Sequence, residues 1–182
     1  MMDEKLIQRI SEKDEQAIRQ MVYEYQHYIY TIALRIVKTK EQAEEITQDV
    51  FLKVIAKIDT FNRKAKFSTW LFTIVYRTAL NVADRSKNEL SLEQLSIPEQ
   101  PDLSVVFEEN IQERQHILWQ GIDKLKTDQG VVVSLFYLQQ FSIAEIAGIM
   151  NIPQNTIKSL LFRGRNNLKN CLLKKYEVED LL

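Results

Sequence analysis

A chain of 182 residues suffices for one medium domain or two small ones, and 45% hydrophobic with 27% charged residues is ordinary for a soluble globular protein. A single cysteine, Cys171, excludes an internal disulfide and a cysteine-rich zinc site. No stretch approaches the length of a membrane span and the N-terminus lacks a basic-then-apolar signal pattern, so a cytoplasmic protein with no membrane insertion of its own is expected. The net charge of -1 conceals an uneven distribution. Residues 60–87 and 153–175 are basic, the latter without any acid, whereas residues 89–113 carry seven acids and no Lys or Arg. Such an order fits two contacts with a polyanion joined by a segment that avoids it, or chance clustering on a solvated surface.

With only four glycines and three prolines, the chain favours long helices over a turn-rich β fold. Apolar residues at helical spacing fill residues 4–58 in two or three pieces, with Asp14 ahead of one helix and Lys38-Thr39-Lys40 between the next two. Asn62 to Lys66 reads as a polar connection, and Ser68 as the N-cap of a helix from Thr69 to about Lys87. Residues 88–104 then hold Pro98 and Pro101, several Ser and Glu, and no apolar stripe, which reads as a linker. Helical periodicity resumes near Val105 and runs to about Tyr176. The expected architecture is all-α: two small helical domains, residues 1–88 and 107–176, joined by a flexible acidic linker over 89–106.

Residues 142–165 carry the sharpest local signal. Ser142 can cap a short helix with Glu145 closing a capping box, and Ala147 is small where two crossing helices approach. Asn151 falls where a tight turn needs a left-handed backbone, and Pro153 suits the first turn of a second helix. This is the spacing of a helix-turn-helix. On the second helix Pro153, Ile157, Leu160, Leu161 and Gly164 share one face. Asn155, Lys158, Ser159, Phe162 and Arg163 form the opposite one, able to meet phosphates, base edges and a thymine methyl. Packing of Phe162 on a neighbouring helix is the alternative.

Upstream, Leu71, Val75, Ala79 and Val82 form a core stripe, and Trp70, Thr73, Arg77, Asn81 and Asp84, with Arg85 at the margin, face away from it. A Trp beside Arg and Asn, after a basic loop flanked by Phe61 and Phe67, suits stacking on single-stranded DNA; alternatively Trp70 is a core residue and the loop is solvated. On the preceding helix Ala43, Ile46, Val50 and Val54 face one way and Glu41, Glu45, Gln48 and Asp49 another. That acidic strip can be a solvated face, a protein-binding surface or a set of metal ligands.

Together these motifs, over roughly residues 6–172, resemble the sigma-70 superfamily and within it the compact extracytoplasmic-function group. Residues 43–53 are similar to region 2.2, which docks on the β′ clamp helices of core RNA polymerase, so the resemblance assigns polymerase binding to Glu45, Gln48 and Asp49. Residues 67–81 are similar to regions 2.3 and 2.4, which capture an unstacked base of the -10 element. This assigns Phe67, Trp70, Arg77, Asn81 and Arg85 to that element. Arg77 stands where the family commonly has Asn, so the base preference does not transfer. Residues 142–165 resemble region 4.2, which implies that Asn155, Thr156, Lys158, Ser159, Phe162 and Arg163 meet the -35 element. The resemblance implies core RNA polymerase, promoter DNA and an anti-sigma factor as partners, with no cofactor and no catalysis. It also implies a linker that threads the active-site and RNA-exit channels of the polymerase. Two rival readings remain: an autonomous helix-turn-helix regulator with a sensing or dimerising N-terminal domain, and a helical metal-dependent hydrolase using Glu41, Glu44, Glu45 and Asp49. The hydrolase would lack a ligand-spaced histidine pair, because His27 and His116 stand alone.

Overall fold

The computed structural model describes residues 4–90, 118 and 120–175; the expected linker and the start of the second helical region fall outside them. Every described secondary-structure element is helical, and the chain divides into two compact units between Pro101 and Asp102, within the segment expected to be the linker.

In the first unit α1 (Glu4–Ser11), α2 (Glu15–Val37), α3 (Lys40–Lys57) and α4 (Phe67–Leu90) follow in order, with one 3-10 turn, Ile58–Thr60, after α3. The polar punctuation acts as expected. Asp14 accepts from the backbone N–H groups of Gln16 and Ala17, and Arg9 donates to its other carboxylate oxygen at 2.7 Å. That hydrogen bond holds the Asp14 carboxyl below its ordinary range. Lys38 ends α2 in a left-handed conformation, and Thr39 precedes α3 without a side-chain cap. Three long helices, α2, α3 and α4, pack on one another, and α1 lies against α2 and the 3-10 turn. Met21, Ile29, Leu34, Ile46, Val50, Leu71, Phe72 and Val75 fill the space between them, each at most 2% exposed. Helix α4 starts at Phe67, two residues earlier than expected, so Ser68 lies inside its first turn rather than at its cap. The buried Phe67 ring, packed on Tyr25 and Phe61, draws the chain into helix sooner than the polar pattern implied.

The second unit contains α5 (Thr127–Val133), which widens into a single π turn over Ser134–Leu138, then α6 (Ile143–Met150) and α7 (Gln154–Lys175). Helices α5 and α6 both pack on α7. Gly164 permits a close approach of α5 to α7: a Cβ there would stand 2.8 Å from Val133 Cγ2. The capping box is formed from both sides, with Ser142 accepting from the Glu145 N–H and Glu145 accepting from the Ser142 N–H. Asn151 closes α6 at φ 54°, ψ 45°, the left-handed turn on which the motif depends. Pro153 sits just ahead of α7, where its carbonyl accepts from Thr156 and Ile157.

Candidate nucleic-acid interface

The second unit settles which way α7 faces. Ile157 is 0% exposed and Leu161 7%, Gly164 is buried and Leu160 half-buried, so the expected inner face is the inner face. Pro153 is the exception: it lies before the first turn and is exposed. Asn155, Thr156, Lys158, Ser159, Phe162 and Arg163 are all exposed, and Phe162 shows 62% of its surface. Among the described residues, therefore, Phe162 does not pack on a neighbouring helix of this unit. An exposed aromatic ring flanked by a Lys and an Arg is costly to leave in water and suits a partner offering both phosphates and apolar base edges. The Ser159 hydroxyl donates to the Asn155 carbonyl at 2.9 Å and Arg163 Nε to the Ser159 carbonyl at 3.3 Å. Both side chains thus lie along the helix surface in a defined direction.

The first unit splits its expected residues. Phe67 is 5% exposed, edge-on to Tyr25 and Phe61 with ring centres 6.0 and 5.7 Å away. Its ring is packed inside the unit, with only a small part of its surface exposed. Trp70 is half-buried, its centre 5.5 Å from that of Phe61 and 5.7 Å from that of Phe67. Arg77, Asn81 and Arg85 are exposed, but at about 1.5 Å of rise per residue Arg77 lies roughly 10 Å and Asn81 roughly 16 Å along α4 from Trp70. They form a polar ridge leading away from an aromatic cluster.

At the cluster is a cleft that the sequence did not reveal. Glu4 and Ile7 of α1, Tyr25 of α2, the connection Phe61, Arg63, Ala65 and Lys66, and Phe67 with Ser68 at the start of α4 line it. Burial, with Glu24 nearby, pushes the Tyr25 phenol up to about 12, so it stays protonated there. Arg63 adopts φ 59°, a left-handed conformation that turns the chain within the basic connection. These residues span more than 60 positions of sequence, so no local pattern could have assembled them.

On α3, Ala43, Ile46, Val50 and Val54 are buried to 0 or 1% exposure, and Glu41, Glu45, Gln48 and Asp49 are exposed. Asp49 lies 3.6 Å from Lys53. Sequence reasoning missed Leu52, which is 65% exposed one turn beyond Gln48 and adds an apolar end to the acidic strip. Its signal was a leucine out of phase with the core stripe. Among the described residues no three His, Cys, Asp or Glu gather as metal ligands would, and no helix is long and apolar enough to cross a membrane.

Comparison with known proteins agrees with this division. Residues 21–88 match Sigma-70 region 2, and residues 115–168 match Sigma-70, region 4. The chain is 30% identical to the ECF RNA polymerase sigma factor SigW of Bacillus subtilis (strain 168), over 94% of this chain and 97% of that protein. It is 28% identical to the ECF RNA polymerase sigma-E factor of Escherichia coli (strain K12), over 92% and 93%. In fold it is similar to the sigma factor RpoE solved with the anti-sigma factor NepR from Bartonella quintana. That match has a TM-score of 0.66 and 24% identity, and covers 86% of this chain and 96% of that one. It is also similar to CnrH solved with the cytosolic domain of CnrY, at a TM-score of 0.63 and 17% identity over 94% and 97%. The chain belongs to the sigma-70 family, in its extracytoplasmic-function group, and is a sigma factor that directs RNA polymerase to promoters.

Proposed function

We propose that the two units divide promoter recognition between them, with residues 1–88 as the polymerase- and -10-binding domain, 89–106 as linker and 107–176 as the -35-binding domain. The observation that carries this reading is the outward face of α7, where five exposed residues capable of meeting DNA surround or flank an exposed Phe162 while the inner face is locked into a core. Helix α7 enters the major groove of the -35 element, Lys158 and Arg163 meeting phosphates or guanine edges and Phe162 a thymine methyl. In the first unit, an unstacked base of the -10 element enters the cleft beside Phe61. Trp70 stacks nearby, and Arg77, Asn81 and Arg85 follow the adjoining strand.

The acidic strip Glu45, Gln48 and Asp49, with Leu52 at its C-terminal end, docks on the polymerase clamp. The protein acts in the cytoplasm and without catalysis of its own. An anti-sigma factor is a further partner, as for the structurally similar RpoE in its complex with NepR. The near-neutral net charge implies weak DNA binding by the chain alone, with the polymerase supplying much of the affinity.

The test is transcription in vitro with core enzyme and a promoter library. Lys158→Ala and Arg163→Ala should lower output from the selected promoter with assembly onto core unchanged, whereas Glu45→Lys and Asp49→Lys should impair assembly itself. Equal loss of both properties in all four variants would overturn the division of labour.

A further inference from the structure

The cleft beside Phe61 has one wall that the match to region 2 does not include: α1 lies wholly before residue 21, where that match begins. It is a fixed wall. Leu6, Ile7 and Ile10 are buried at 7, 8 and 0% exposure, and the turn into α2 is closed by Arg9 and Asp14, which share a backbone hydrogen bond of 2.9 Å and a side-chain contact of 2.7 Å. From this wall Glu4 contributes the one acid among the residues lining a cleft that is otherwise aromatic, aliphatic, basic or small. Its carboxylate stands 4.0 Å from the Arg63 guanidinium, with both side chains largely in water. An ion pair this long and this exposed opens at little cost.

Resting on the proposal that an unstacked base enters this cleft, we infer that Glu4 is a specificity-determining residue for that base. A carboxylate at neutral pH only accepts hydrogen bonds. It therefore favours a base that presents an exocyclic amino group, as a Glu or Asp does when it accepts from cytosine N4. Thymine has no amino group: where cytosine presents N4–H it presents the O4 carbonyl, whose lone pairs would face the carboxylate, and its one donor, N3–H, is set back between two carbonyls. As the base enters, Glu4 exchanges the Arg63 contact for the amino group, and Arg63 is released toward the phosphate next to the captured nucleotide. The exposed pair it replaces is weakly held, so a charge-assisted hydrogen bond to the amino group has little to displace.

The experiment uses holoenzyme reconstituted with core polymerase and single-stranded oligonucleotides spanning the non-template -10 element. 5-methylcytosine and thymine are exchanged at each position in turn, since the two share a shape and differ in the edge that Glu4 would read. The wild type should prefer 5-methylcytosine at one position by about tenfold. Glu4→Gln, whose amide both donates and accepts, should abolish that preference at that position alone, with core assembly and the other positions unaltered. Phe61→Ala should lower affinity for either base at the same position. If Glu4→Gln leaves the ratio intact where Phe61→Ala has its effect, or if the wild type shows no preference there, the role of Glu4 is overturned and base capture in the cleft stands. If Phe61→Ala changes no position, the capture itself is wrong and the role of Glu4 falls with it.

Discussion

Phe162 and Phe67 both sit on helices that meet DNA in our proposal, yet one ring is 62% exposed and the other 5%. The contrast follows from what each unit must read. Base edges of intact duplex are already displayed in the major groove, so α7 needs only a rigid helix with its reading side chains turned outward and its inner face anchored by Ile157, Leu161 and Gly164. An unstacked base loses its neighbours and must be given new walls. The first unit therefore places its aromatics side by side, Phe67 beneath, Phe61 and Trp70 nearer the surface, with a basic connection and α1 enclosing the space. A projecting face serves the first task and a concave one the second.

The sharpest way to break this contrast is to truncate the supporting ring. Phe67→Ala should cost about 3–5 kcal/mol of local stability in the first unit, as loss of a buried ring does. Amide exchange in α2 and α4 would measure it, with α6 and α7 unchanged. A cost no larger than that of an exposed substitution would mean that Phe67 is itself a contact residue.

The projecting ring should behave in the opposite manner. Phe162→Ala is expected to change stability by no more than about 0.5 kcal/mol. The same change should weaken holoenzyme binding to the cognate -35 duplex roughly tenfold. If it instead unfolds the unit as Ile157→Ala would, α7 has no free reading face.

The smallest effect concerns the scaffold that aims α7. Ser142→Ala removes one half of the capping box and should cost about 1 kcal/mol. Protection of the Glu145 amide, which donates to the Ser142 hydroxyl at 3.2 Å, would report it. Promoter affinity should fall only in proportion to the loss of folded α6, and a larger fall would give Ser142 a direct role at DNA.

What could be read in advance was whatever depends on neighbours along the chain. The capping box at Ser142 and Glu145, the left-handed Asn151, the Asp14 cap and the two-faced periodicity of α3 and α7 are local, each decided within a few residues by hydrogen-bond reach or helical pitch. They carried the fold class, the helix-turn-helix and the acidic strip, and the family resemblance rests on the same stretches. Local pattern was silent where burial came from distant residues. Nothing near Phe67 in sequence shows that Tyr25, more than forty positions earlier, packs edge-on against its ring. Trp70, Arg77 and Asn81 share a helix side and the rise of α4 spaces them along a ridge, while the cleft draws on Glu4 and Ile7 of α1. Faces are fixed by periodicity, which a sequence displays directly; cavities are fixed by which helices pack together, and that is decided only when the whole unit folds.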